Sequence, residues 1–205
     1  FYTGNLYKWL SCPKGSAFLY ARRESQPLLE PLLVSWGYDA EPPGASRFID
    51  VQEWTGTRDI PAYLACPEAI HFYEKHHWEQ IRLACHGTVR LARARIGRLT
   101  GLTHLSPDSP AWFMQMAALP LPQCDWHLLK QRLYDEHKIE VPISEWHGVP
   151  LLRISVQAYN GEADVDQAAG QLADDVVRAV LVADHRHRRV EEQLADRKRR
   201  LGMAP

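Results

Sequence analysis

The sequence predicts an α+β fold for the last two-thirds of the chain, behind a first third of short strands and loops. Three observations carry that expectation. Apolar residues recur at helical spacing from Trp78 to Arg98, short extended runs alternate with helical segments after it, and turn chemistry dominates the stretch before Pro61.

Taken in order, "SAFLYAR" (Ser16 to Arg22) suits a short strand, "LLVSWGY" (Leu32 to Tyr38) a second extended piece, and "DAEPPGAS" a turn. Pro61, following Asp59, suits the first turn of a helix whose Ala/Leu/Ile/Phe pattern runs from Ala62 to Tyr73. The next helix, Trp78 to Arg98, carries Ile81, Ala84, Cys85, Val89, Ala92 and Ile96 on its inner side. "AWFMQMAAL" (Ala111 to Leu119) reads as a strand. "CDWHLLKQRLYDEH" (Cys124 to His137) reads as a helix with Asp125 near its N-terminus. "IEVPIS" and "LLRISVQAY" are extended runs divided by the turn "WHGVP", and a last helix opens at "NGEADVDQAAGQL", where Glu162 and Asp164 suit a positive helix N-terminus.

Composition narrows the partners. A formal net charge of -1 gives no bias toward nucleic acid or a membrane surface, and no apolar run is long enough to span a bilayer. Cys12, Cys66, Cys85 and Cys124 lie far apart with no CxxC pair, which argues against a disulfide framework or a zinc ribbon and fits a reducing, cytoplasmic setting. His76 and His77 are adjacent, and His185 and His187 are two apart, both poor metal geometry on a helix; no metal site is expected. The tail from Asp184 mixes both signs at helical spacing and reads as a solvated helix.

The stretch "GNLYKWLSCPKG" sets Lys8 between Tyr7 and Trp9. Low-dielectric surroundings disfavour an ammonium ion, so a desolvated Lys8 is a candidate amine nucleophile. The alternative is a lysine that lays its stem along the rings and keeps its charge in water.

With "EWTGTRDIPAYLACPEAI" (Glu53 to Ile70) and "LLRISVQAYNGEADVDQAAGQL" (Leu151 to Leu172), that stretch resembles, in order and spacing, the C-terminal half of class V aminotransferase-fold (fold type I) enzymes that use pyridoxal phosphate. Within them it is most similar to the isopenicillin N epimerase-like branch. The resemblance implies an α/β large-domain remnant over residues 1–78, an α+β C-terminal small domain over 79–185 and a charged tail over 186–205. It further implies a homodimer with sites at the subunit interface, and a chain that starts just before its cofactor lysine.

By the same resemblance Lys8 forms the Schiff base with pyridoxal 5'-phosphate and moves protons at the α-carbon of an amino-acid substrate. Tyr7 stands where many relatives carry histidine; its phenol either donates to the cofactor phosphate or packs. Gly56 and Thr57 match the loop that binds the phosphate of the neighbouring subunit; the alternative is an ordinary loop ahead of a helix capped by Asp59 with Pro61 in its first turn, and the two readings can hold together. Arg58 is either a further anion contact or an ion-pair partner of Asp59. Arg153 stands where the family grips the substrate α-carboxylate, the alternative being a structural salt bridge. Asn5 is a candidate for lining the cofactor region, and Trp9 is expected to be core beside the lysine in preference to lining it. Trp36 lies in a stretch that relatives also show and is a candidate for the border of the substrate channel, and Tyr159 and Asn160 are expected to end a strand and start the next helix.

The fold alone does not choose the reaction. No cysteine lies in "KIEVPISEWHGVPLL", which disfavours a persulfide-forming desulfurase. Epimerase-like or aminotransferase action is expected. A cysteine desulfhydrase-type C–S lyase and a truncated, cofactor-free dimerisation module are the alternatives.

Overall fold

The computed structural model describes residues 1–176, and these divide at Trp78 and Glu79 into two compact units. The first opens with a hairpin. β1 (Tyr2–Asn5) pairs antiparallel with β2 (Ala17–Tyr20), Tyr2 opposite Tyr20 and Asn5 opposite Ala17. Gly4 lets the ring of Phe18 lie across the strand, since a Cβ there would sit 2.7 Å from it. Between the strands come the single-turn helix α1 (Leu6–Trp9) and a turn held by Leu6 N–H to Ser16 O and Cys12 N–H to Leu6 O.

A 3₁₀ segment (Arg23–Leu28) follows β2. The piece from Leu32 to Tyr38, expected to be extended, is instead turns and bends. Gly37 lies so close to the backbone of Asp50 that a Cβ would collide with it. That crowding comes from α2 (Arg47–Glu53), a helix the sequence reading missed. Its signal was Ser46, whose hydroxyl accepts from Ile49 N–H as an N-cap.

The helix expected from Ala62 to Tyr73 is broken into α3 (Pro61–Leu64) and α4 (Cys66–Lys75). Pro67 has no N–H to bond back to the preceding turn, so the ladder is interrupted where the two helices meet. Pro61 does open α3, but Ile60 rather than Asp59 occupies the cap position and no side chain caps it. That corrects the expected role of Asp59.

The second unit layers helices against a sheet. Long α5 (Trp78–Thr100) precedes β3 (Met116–Pro120), α6 (Trp126–Asp135), β4 (Ile143–Trp146), β5 (Val149–Ser155) and a helix over 162–176, α7. The sheet order is β3-β5-β4, antiparallel throughout. β4 turns into β5 through His147 and Gly148, both at positive φ (49° and 76°), the two-residue geometry that matches strand twist.

Period-2 alternation buries Pro150, Leu152 and Ile154 of β5 and leaves Arg153 and Ser155 outward. Helical spacing brings Cys85, Val89, Ala92 and Ile96 of α5 to the same core as Leu129 and Leu133 of α6 and Val165, Leu172 and Val176 of α7. Ala84, expected on the inner side, is exposed, and Arg93 is buried in its stead. Arg93 is satisfied by Ser106 Oγ (3.1 Å), Ser106 O (2.8 Å) and the face of Phe113, 4.2 Å from its guanidinium carbon. The strand expected from Ala111 begins only at Met116, because Ser109 O accepts from Trp112 and Phe113 N–H and turns the chain there. Asp125 caps α6, accepting from Leu128 N–H at 3.1 Å.

Candidate functional site

α1 is the carrier of Lys8, and its geometry follows from the hairpin around it. Strand pairing stops at Asn5, whose extended backbone starts the helix without a side-chain cap. Leu10 N–H and Ser11 N–H both return to Lys8 O, and Ser11 adopts φ 60°, which ends the turn. α1 contains no buried residue. Lys8 is exposed and its amine has no hydrogen-bond or ion-pair partner among the described residues. Tyr7 and Trp9 are 36% and 40% exposed. Desolvation by these rings, the premise for a nucleophilic amine, is therefore not supplied by the first unit itself.

What holds the lysine turn in place is α3 and α4. Ser11 Oγ lies 3.4 Å from Tyr73 Oη, Tyr73 Oη donates to Trp9 O, and Tyr73 stacks on Trp78. Cys12 Sγ donates to Cys66 Sγ at 3.7 Å, and Cys66 Sγ to Ala62 O at 3.4 Å. The sequence reading did not pair these cysteines, because they stand 54 residues apart.

Gly56 and Thr57 lie in the loop between α2 and α3. Gly56 takes φ +102°, a left-handed conformation that a side chain would strain, and a Cβ there would lie 3.3 Å from Ser35 Oγ. Thr57 is exposed. Arg58 does not pair with Asp59: it donates to Glu53 O at 3.0 Å and stands 5.1 Å over the ring of Tyr63. Asn5 and Trp36 are exposed, and no hydrogen bond or ion pair links α1 to the Gly56–Thr57 loop among the described residues.

In the second unit Arg153 sits on β5 opposite Ala118, its N–H bonded to Pro142 O. Its guanidinium is exposed and has no ion-pair partner among the described residues, so the structural salt bridge is absent there. Arg153 is also among the residues around a cavity of ≈ 280 Å³ that includes Ser155, Asn160 and Asp164. Asp164 is occupied there, accepting from Gly161 N–H at 2.9 Å, and Asn160 Oδ1 accepts from Gln157 N–H, so Tyr159 and Asn160 belong to the turn before α7 and do not end the strand, which stops at Ser155. Cys124 is half-buried and packs against the core of the second unit, and burial first, then the charge of Asp125, pushes its thiol above its ordinary value. No group of three or more His, Cys, Asp or Glu among the described residues suits a metal ion. No helix among them is long and apolar enough to cross a membrane. The tail, including His185 and His187, lies outside the described residues.

The aminotransferase class-V family model matches residues 2–168. The chain belongs to that family. Isopenicillin N epimerase of Amycolatopsis lactamdurans is 33% identical over 85% of this chain, and that of Streptomyces clavuligerus 36% identical over 84%. The chain spans 46% of the length of each of these relatives. L-cysteine desulfhydrase of Arabidopsis thaliana is 28% identical over 70% of this chain and 32% of its own length.

The donor set suits a phosphate-bearing aldehyde cofactor such as pyridoxal phosphate. Lys8 offers an exposed primary amine for the aldehyde. Thr57 offers a hydroxyl and a backbone amide beside a glycine whose φ brings the backbone into a tight turn, which suits a phosphate.

Proposed function

We propose that this chain is the C-terminal half of a pyridoxal phosphate-dependent amino-acid enzyme, epimerase-like or aminotransferase, acting at the substrate α-carbon. In this reading residues 1–78 belong to the cofactor-binding domain and the rest to a small α+β domain. The reading is carried by one observation: the exposed, unpartnered amine of Lys8 lies inside the segment that matches the family.

Bound pyridoxal phosphate supplies an electron sink that lets the α-proton leave. Lys8 Nζ is the group that would hold the cofactor, and the same amine would take and return the proton at the substrate α-carbon. The Thr57 hydroxyl and amide would anchor the phosphate, Gly56 would keep the approach open, the Tyr7 phenol would add a donor toward that phosphate, and Arg58 would serve as a further anion contact on the substrate side. Arg153 orients the substrate by a bidentate grip on its carboxylate. A homodimer in which Thr57 serves the neighbouring subunit is supported by the exposed apolar side chains of the first unit, among them Leu32, Val34 and Trp36. We place this enzyme in the cytoplasm.

A C–S lyase reading stands second, favoured by the similarity to L-cysteine desulfhydrase. Incubation of the full-length enzyme with candidate amino acids in deuterated water separates the reactions. Deuterium at the α-carbon with loss of chirality is expected for epimerisation, keto acid without sulfide for transamination, and sulfide from cysteine for the lyase. The site assignment fails if borohydride reduction fixes no cofactor to the protein, or still fixes it in Lys8→Ala.

A further inference from the structure

We propose that Cys12 and Cys66 are a redox-active pair whose disulfide clamps the lysine-bearing turn onto the start of α4. The two sulfurs already lie 3.7 Å apart with one thiol donating to the other, so closure to the ~2 Å of a disulfide asks for a small shift, not a rearrangement. Both cysteines are free.

The two thiols are unequal in a way that orders the chemistry. Cys12 is 5% exposed, and burial followed by its bond to Cys66 raises its pKa, which keeps it a thiol. Cys66 is half-buried at the first position of α4 and is the sulfur a small oxidant reaches. With hydrogen peroxide as oxidant, Cys66 sulfur attacks one peroxide oxygen, the O–O bond breaks, and water leaves as Cys66 becomes a sulfenic acid. Cys12 sulfur then attacks Cys66 sulfur, and the hydroxyl departs with the Cys12 proton as a second water. In sum, two thiols and one peroxide give one disulfide and two waters. A dithiol reductant reverses the step by exchange.

The clamp reaches Lys8 through the backbone. Cys12 N–H bonds Leu6 O and the adjoining Ser11 N–H bonds Lys8 O, so drawing Cys12 toward α4 moves both ends of α1. The disulfide stands on the sulfur geometry alone; its consequence for catalysis rests on the proposed role of Lys8.

The test is peroxide titration of the purified protein, first treated with hydroxylamine and dialysed so that no carbonyl compound occupies Lys8, followed by alkylation, unreduced digestion and mass spectrometry, with amine-ester labelling of Lys8 in parallel. Expected is a peptide pair joined through Cys12 and Cys66, lighter by ~2 Da than the two thiol forms, and restored to them by dithiothreitol. Lys8 labelling should change by about threefold on oxidation and recover on reduction, because the turn is displaced. Cys66→Ser and Cys12→Ser should each abolish the linked peptide and the labelling change. Separate alkylation of Cys12 and Cys66 after peroxide, or pairing of either with Cys85 or Cys124, overturns the pair. A linked peptide with unchanged Lys8 labelling overturns the coupling to the lysine. Failure of cofactor to attach at Lys8 bears only on the proposed function, since the linked peptide is read without cofactor.

Discussion

In the second unit Val89, Leu119, Leu129, Leu133 and Leu172 are at most 1% exposed, whereas in the first unit Leu28, Leu32, Val34, Trp36 and Leu64 are at least 70% exposed. The buried apolar residues of the first unit reduce to Cys12, Ala21 and Val51. Two modes of organisation follow. Removal of apolar surface from water orders the second unit. The first is ordered by strand pairing, a capped helix, close backbone approaches and the Cys12–Cys66 and Ser11–Tyr73 contacts. The proposed chemistry follows the same division, because Lys8 and the Gly56–Thr57 loop lie in the first unit, and Arg153 lies on the outward face of the second.

The contrast is broken most directly by Leu129→Ala, which leaves a cavity in the core and should cost about 2–5 kcal/mol in urea unfolding. A loss below about 1 kcal/mol would mean that this core does not hold the second unit. The counterpart in the first unit is Gly37→Ala. Here the added Cβ meets backbone that cannot yield freely, and a loss of about 1–3 kcal/mol is expected although almost no apolar area changes. Equal stability of wild type and variant in thermal melts would refute the close approach.

Removing the cap in Asp125→Ala should cost about 1 kcal/mol, read as a fall in melting temperature of the second unit. Smaller still is a pH effect at His104. Burial, followed by the charge of Arg93, lowers its pKa below the ordinary 6.5. The unfolded chain then binds the proton that the folded one resists. Its stabilising contribution is full above pH 6.5 and is lost as pH falls from there through the depressed folded value. His104→Gln should therefore flatten the decline in melting temperature between pH 7 and about pH 5 relative to wild type. Identical slopes would dispose of that linkage. Least of all, Leu83→Ala, at an exposed position of α5, should stay within about 0.5 kcal/mol. A core-sized loss there would show that this surface is covered in the protein in solution.

Much of the second unit was legible because its signals are local. The apolar face of α5, the alternation along β5, the turn at His147–Gly148 and the cap at Asp125 each depend on residues within a few positions of one another. The first unit was less so. The run from Leu32 to Tyr38 has strand composition but no partner strand among the described residues, and α2 was hidden behind turn residues despite its serine cap. Of the candidate site, the motif order pointed to Lys8, Thr57 and Arg153. Their exposure, and the contacts of Arg58 with Glu53 and Tyr63, depend on packing that a motif does not encode.

The sequence by itself determined the family, the helix and strand periods, and the amine, hydroxyl and guanidinium available for chemistry. These are properties of residue type and short spacing. Tertiary structure alone decided that Cys12 meets Cys66, that Arg93 is buried against Phe113, and that Asp175 is held 2% exposed between Arg132 and His137. Each of these contacts joins residues far apart in sequence. Their closure entropy is offset only by the packing of the whole unit, so no local pattern announces them.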